Sequence, residues 1–135
     1  MKLKLSIGQT DFVGYKNANP FASDFKEIYD NSCMEIYCCE EVLSKVRNKD
    51  FDTFLDSILK KLRIGGEITF SSPDISDLNY AYVYRKIDEN ILSQLIGGHL
   101  GLYNCKLIEN ALRSKGLKIE QMSIQNYFFC IKASR

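Results

Sequence analysis

Leu62-Arg63-Ile64-Gly65-Gly66-Glu67-Ile68-Thr69-Phe70-Ser71-Ser72-Pro73-Asp74 is the stretch on which the fold turns. Ahead of it Phe51, Phe54, Leu55, Ile58, Leu59 and Leu62 recur at three- and four-residue steps, which predicts a helix from about Asp50 to Arg63. Asp50 and Asp52 fall in its first turn and Lys60, Lys61 and Arg63 in its last, the charge order that a helix dipole favours. Gly65-Gly66 offers the helix stop, because glycine tolerates a left-handed backbone. Glu67 to Ser71 then reads as a strand, and Pro73 breaks it.

Outward toward the N-terminus, Lys2 to Ile7 alternates charged or polar with apolar residues and reads as a strand with Leu3, Leu5 and Ile7 on one face. A short strand is expected around Gly14 to Ala18, ending at Asn19-Pro20. Residues 20–33 read as loop with one helical turn or short strand near Phe25 to Tyr29, and Glu35 to Cys39 as a buried strand. Toward the C-terminus, periodicity leaves the Tyr80, Tyr82, Tyr84 stretch open between a loop and an irregular helix start. Ile87, Ile91, Leu92, Leu95 and Ile96 mark a helix closed by Gly97-Gly98. Another begins at Asn104, a good N-cap, and ends at Gly116. Leu117 to Ile124 and Tyr127 to Ala133 predict two strands joined at Gln125-Asn126, the second buried on both faces because Tyr-Phe-Phe-Cys-Ile is continuous. This order predicts one α/β domain over residues 1–135, with a mostly parallel sheet and a C-terminal antiparallel hairpin.

Composition narrows the function. The 135 residues carry 18 Lys+Arg against 17 Asp+Glu, and a net charge of +1 gives no argument for binding nucleic acid. No apolar run reaches the roughly 20 residues of a membrane span, and the opening Met1-Lys2-Leu3-Lys4-Leu5 has no signal-peptide core. The five cysteines, Cys33, Cys38, Cys39, Cys105 and Cys130, show no CxxC spacing and read as reduced thiols of a cytoplasmic protein. With a single histidine, His99, a structural zinc site is not expected.

In an open α/β sheet, ligands bind outside the carboxyl ends of the strands where strand order reverses. That points to Gly8-Gln9-Thr10, Asn17 to Pro20, Cys38 to Glu41 and Ser71 to Asp74. Among proton-exchanging side chains His99 stands out, because histidine alone titrates near neutrality without a perturbed environment. Glu40 and Glu41 read as a base, a ligand contact or solvated surface. Tyr80, Tyr82, Tyr84 and Tyr103 read as an aromatic lid or an interface patch.

The opening stretch, Leu62 through Asp74, resembles the "L-k-P-G-G-x-l-x-i-x-x-P-D" segment of class I S-adenosylmethionine-dependent methyltransferases. Leu5-Ser6-Ile7-Gly8-Gln9-Thr10 and Gly14-Tyr15-Lys16-Asn17-Ala18-Asn19 are similar to the "L-N-l-G-C-G…G-w-x-N-v-D" opening of a small bacterial branch of that family. Glu35 to Leu43 is similar to its "D-x-I-y-a-s-x-V-L-E-H", and His99 to Asn104 with Leu107 to Leu117 to its "H-x-x-g-f-t…L-x-x-x-L-x-x-a-G-F". The resemblance implies a Rossmann-like methyltransferase fold and S-adenosylmethionine as cofactor; the stretch between Pro20 and Cys33 is too short for the helices usual there, so a fold reduced in helices in its N-terminal half is expected. It implies cofactor contacts at Gly8, Thr10, Asn19, Cys38 and Glu40, substrate contacts at Ser72 and Tyr103, and a catalytic His99.

Three departures accompany it. Thr10 stands where the family has a second loop glycine, and its Cβ narrows the approach to the cofactor. Asn19 stands where the family has the acidic ribose ligand, so a charge-assisted acceptor is replaced by a neutral amide. Leu43-Ser44-Lys45 replaces the family's "L-E-H". Two functions are therefore expected: a methyltransferase with a degenerate cofactor motif acting on a small-molecule or protein acceptor, or a catalytically inactive module of the same fold. The tyrosine-rich stretch and near-zero charge suit self-association of such a module into a homo-oligomer.

Overall fold

The computed structural model describes residues 1–8 and 12–135. Six strands form one sheet in the order β2-β1-β3-β4-β6-β5. They are β1 (Lys2–Leu5), β2 (Lys16–Ala18), β3 (Cys33–Cys38), β4 (Leu62–Pro73), β5 (Lys118–Gln125) and β6 (Phe128–Ser134). The first four run parallel; β6 is antiparallel to both β4 and β5. The helices are α1 (Glu40–Leu43), α2 (Phe51–Leu59), α3 (Ile75–Val83), α4 (Glu89–Ile96) and α5 (Cys105–Ser114). The sheet is mostly parallel with a terminal hairpin, as its sequence order predicts.

Alternation in β1 sets which way the sheet faces. Leu3 and Leu5 are fully buried while Lys2 and Lys4 turn to the opposite face. Leu3 is level with Ile36, Ile68 and Ala133, and Leu5 with Cys38, Phe70 and Ile131. These rows meet Leu55, Ile58, Ile108 and Leu112 of α2 and α5 in one core cluster. A fully buried Leu or Ile contributes about 1.5–3 kcal/mol there. The opposite face bears Lys2, Lys4, Tyr37, Glu67, Thr69 and Lys132, all half-buried among one another. A smaller cluster, Leu78, Ala81 and Ile87, joins α3 to α4.

The N-terminal half is short of helix, as the short stretch between Pro20 and Cys33 predicts. Parallel neighbours β1 and β2 are joined by residues 6–15 alone, fewer than the dozen or more that a helical crossover takes. Between β2 and β3 the only helical segment is a 3-10 turn at Ser23–Glu27.

Several boundaries differ from expectation for identifiable reasons. Helix α2 ends at Leu59, not Arg63, because its terminal carbonyls find donors outside the helix. The Arg135 guanidinium reaches Leu59 O at 2.9 Å and Leu62 O at 2.5 Å, and Asn31 N donates to Lys60 O. Gly65-Gly66 consequently lies inside β4 rather than closing the helix. Gly65 takes φ +80° as the strand enters the sheet, and a Cβ on Gly66 would crowd the carbonyls of Arg63 and Cys33. The second strand is shorter than foreseen, Lys16–Ala18. The tyrosine stretch resolves as helix as far as Val83, with Tyr84 just after it: α3 is capped by Asp74, whose Oδ1 accepts from Asp77 N at 3.0 Å. Strand β6 is not buried on both faces, because helices cover only one. Phe129, Ile131 and Ala133 are buried and Cys130 is exposed. Its turn falls on Asn126-Tyr127, with φ of 51° and 68°, the left-handed pair of a two-residue hairpin.

Candidate functional site

Leu5 is level with Ala18 on one side and Cys38 on the other, so Ser6, Asn19 and Cys39 leave the sheet together. The chain steps from β1 to β2 in one direction and returns to β3 on the other side of β1, so strand order reverses there. Outside this point lies a cleft of about 470 Å³, lined among others by Lys4, Cys39, Glu40, Lys45, Gly98 and His99.

Its acidic wall is the start of α1. Glu41 Oε1 accepts from Ile7 N at 2.8 Å, which ties the end of β1 to the helix. Glu40 faces the cleft, and its Oε1 lies 3.7 Å from His99 Nε2. Loss of hydration holds the Glu40 carboxyl above the ordinary carboxylate range, with His99 pulling the other way. Burial first and Glu41 second push the Cys39 thiol up, and Sγ lies 3.4 Å from Leu5 O. Burial and Glu41 thus favour the neutral thiol form of Cys39.

His99 comes from the opposite wall, on the connection between α4 and α5, and its side chain is 11% exposed. That connection is pinned to the segment following α1. Leu100 N donates to Ser44 O at 2.7 Å, and Asn48 bonds both N and O of Leu102 at 2.9 and 2.7 Å. Tyr103 Oη donates to Val46 O at 2.5 Å. A Cβ at Gly101 would collide with that same Val46 carbonyl, so the close approach requires glycine.

The expected site residues divide between cleft and core. Glu40 and His99 meet in the cleft. Gly8 is exposed at the end of β1, with open space where a Cβ would stand. Thr10 lies outside the described residues. The Asn19 side-chain oxygen accepts from Phe21 N at 2.9 Å, a turn contact that leaves its amide nitrogen as the group it can offer a ligand. Cys38 is fully buried in the core and can offer a ligand only its backbone. Ser72 is sealed at 2% exposure and Tyr103 at 1%, because both lie on the helix-covered side. Of the expected cofactor contacts among the described residues, Glu40 lines the cleft, and Gly8, Asn19 and Cys38 do not. Among the described residues no group of three or more His, Cys, Asp or Glu could hold a metal ion.

Sequence reasoning missed Ser44, Lys45 and Gly98 as cleft components. Nothing in local pattern marks them; they meet only because residues 97–102 pack on residues 44–48. It also placed Asp74 in the crevice. At 2% exposure it joins two helices instead, Oδ1 capping α3 and Oδ2 accepting from Cys105 N, the first residue of α5, at 2.9 Å. The signal was present: an aspartate after a strand-ending proline and before an apolar period is an N-cap.

A sheet of this order with a terminal antiparallel hairpin and a crevice at its reversal point defines a Rossmann-like methyltransferase fold. Solved structures that share it include several methyltransferases. An O-methyltransferase family protein from Burkholderia thailandensis superposes with a TM-score of 0.63 at 11% identity, over 90% of this chain and 35% of that one. A SAM-dependent methyltransferase from Archaeoglobus fulgidus gives 0.61 at 12% identity, over 90% and 67%. One from Methanosarcina mazei gives 0.59 at 12%, over 90% and 66%. At such identities the likeness is one of fold. The chain spans between 35% and 67% of the length of these three structures. No family model matches the sequence, and no curated protein does.

Proposed function

We propose that the protein is a compact S-adenosylmethionine-dependent methyltransferase with a degenerate cofactor site, acting on a small-molecule or protein acceptor. The observation that carries this reading is the cleft at the β1/β3 reversal point, where Glu40 and His99 face each other. The cofactor would be held by the Gly8 backbone, Thr10, the Asn19 amide and Glu40, with His99 on the acceptor side. Methyl transfer depends mainly on in-line positioning, so a cleft with one proton-exchanging group is sufficient equipment.

A second reading, a non-catalytic binding or assembly module, is favoured by the engagement of the Asn19 oxygen in its own turn and the sealing of Cys38. Tyr80 and Tyr82 on α3 and Tyr84 just beyond it, at 52%, 38% and 63% exposure, would then serve contact between copies. Isothermal titration calorimetry with S-adenosylmethionine and S-adenosylhomocysteine separates the two. The enzyme reading expects micromolar binding that Asn19→Ala weakens about fivefold, the worth of one hydrogen bond. No heat at millimolar ligand from a folded sample would overturn it.

A further inference from the structure

We infer that the outer edge of β5 is a pairing surface for a second copy of this chain. The two copies join antiparallel about a two-fold axis at Ser123, so that two six-stranded sheets become one. The inference stands apart from both readings of the cleft, because β5 lies three strands beyond β3, at the far end of the strand order.

The first observation is an open edge bare of charge. Among the described residues β5 pairs with β6 alone. Gln125 and Phe128 flank the two-residue turn and so exchange both backbone bonds. By alternation from there, the N–H and C=O groups of Ile124 and Met122 point away from β6. The regular edge is Gln121-Met122-Ser123-Ile124-Gln125, bounded by the turn and by a register shift between Ile119 and Gln121. Soluble proteins guard an open edge with charge or keep it very short. The opposite edge of the sheet is guarded both ways, since β2 has three residues of which Lys16 is one. The five residues of the β5 edge carry no charge, and Lys118 and Glu120 lie beyond the shift.

The second is an apolar floor beside that edge. Met122 is level with Ile131 and Ile124 with Phe129, both fully buried on the helix-covered side. The core rows therefore run on to the edge, where Met122 and Ile124 are 47% and 49% exposed. With Tyr80 and Cys105 they line a groove of about 470 Å³ between α3, α5 and β5, which Lys106 and Glu109 also border.

The third is self-complementarity, which selects the occupant. Residues that oppose one another across an antiparallel pair share a face, so a two-fold axis must pass through a residue. Placed at Ser123, it sets Met122 against Ile124 of the second copy on the helix-covered side, and does so twice. Gln121 then meets Gln125 of the second copy on the open face, and the outward N–H and C=O groups of Met122 and Ile124 bond across the axis. Moved to Met122, the axis brings Ile124 to Glu120 of the second copy; moved to Ile124, it brings Met122 to Asn126 of the turn. Moved to Gln121, it sets Met122 against Glu120 and Ile124 against Lys118. One register alone matches apolar to apolar and polar to polar. A five-residue strip is about 17 Å long. That is at the lower end of specific interfaces, so the dimer is weak and concentration-dependent. With β2 guarded, association closes at two copies.

Analytical ultracentrifugation from about 5 μM to about 0.5 mM should show monomer passing to dimer. Ile124→Lys, at a half-exposed position of the monomer, should weaken the dimer about tenfold or more, because it sets an ammonium group against each Met122. The register is read by oxidation in a Cys130→Ser background, which removes the thiol level with Ser123. Ser123→Cys should give a covalent dimer, because the two copies of that position face each other at about 4.5 Å between Cα atoms, within disulfide range. Gln121→Cys should not, because its two copies lie about 14 Å apart. Circular dichroism verifies each fold; should Ile124→Lys not fold, the two cysteine variants decide alone. Folded wild type that stays monomeric throughout overturns the proposal and leaves the edge to a strand of another protein. A dimer indifferent to Ile124→Lys, or crosslinked equally at positions 121 and 123, overturns it too and moves the contact to Tyr82 and Tyr84. None of these outcomes touches the calorimetric test of the methyltransferase reading, and the reverse also holds.

Discussion

On the helix-covered face of the sheet, Leu3, Ile36, Ile68 and Ala133 form one row across four strands, and Leu5, Cys38, Phe70 and Ile131 form the next, each 1% exposed or less. On the other face the intervening rows are Lys2, Glu35, Glu67 and Ser134, then Lys4, Tyr37, Thr69 and Lys132. Those charges are matched across strands, Lys2 with Glu35 at 3.2 Å and Lys132 with Glu67 at 3.5 Å. Parallel sheets of doubly wound proteins are as a rule covered on both faces, and their strands are then nearly continuous apolar runs. Here the strands alternate, so the open face is a polar surface in its own right and not an apolar one left bare. A sheet of this topology can thus stand as two layers, with the reversal-point crevice still formed at its end.

The faces differ most where a side chain is removed. Phe70 is fully buried and its ring meets Phe51 edge-on at 6.2 Å between centroids. Phe70→Ala should cost about 3–5 kcal/mol in urea denaturation. Thr69→Ala, one residue along on the open face, should cost about 1 kcal/mol or less. Equal losses would mean that the open face is packed against something, and the two-layer account would be wrong.

How much of this was legible follows from range in sequence. Alternation in Lys2-Leu3-Lys4-Leu5 and the α2 stripe are local, and they marked the strand and the helix; the succession of such elements pointed to a mostly parallel sheet, without its strand order. The one-sided cover was foreshadowed by the same Lys-Leu alternation, but the aromatic run before Ile131 spoke for the opposite. Phe128 and Phe129 lie on alternate faces, and run length cannot tell which neighbour covers which. The early end of α2 depends on Arg135, 76 residues beyond Leu59. Glu40 and His99, which meet in the cleft, were singled out by residue type. Lys45 and Gly98 were not, since tertiary packing alone brings them to the cleft. Cys38, Ser72 and Tyr103 were misplaced for one shared reason: a residue near the carboxyl end of the sheet can still point into the covered layer.

A smaller effect is expected at the edge between the faces, where β4 hands the chain to α3. Asp74 caps α3 and binds the first amide of α5, so Asp74→Ala removes two acceptors from helix N-termini at once. Each cap is worth about 1 kcal/mol, which predicts a loss of about 2 kcal/mol. Asn104→Ala, which removes one cap acceptor, for Leu107 N, and an exposed bond from Nδ2 to Ser76 Oγ, should cost about half as much. If the two variants proved equal, the link from Asp74 to α5 would carry no stability and α5 would be held over the sheet by its apolar face alone.

The smallest effect belongs to the open face, and its pH dependence identifies it. Tyr15 Oη donates to Glu35 Oε2. The hydrogen bond to Glu35 leads in raising the Tyr15 phenol from 10.0 to about 12, while the same bond first and Lys2 after it hold the Glu35 carboxyl below 4.5. A phenol raised on folding favours the folded state fully below pH 10.0, and that contribution disappears as pH climbs from 10.0 to about 12. A carboxyl lowered on folding contributes above pH 4.5, and its share disappears as pH falls below 4.5 through the folded value. Tyr15→Phe should therefore cost at most about 1 kcal/mol near neutrality, since both groups are solvent-screened. The difference between wild type and variant should shrink toward both pH extremes, to be measured by urea denaturation across the range. No deficit at any pH would show that Tyr15 acts through its ring, which the variant keeps, against Phe12 at 4.7 Å between centroids, and not through its hydroxyl. The open face would then be partly an aromatic surface, and the contrast between the two faces would be one of degree.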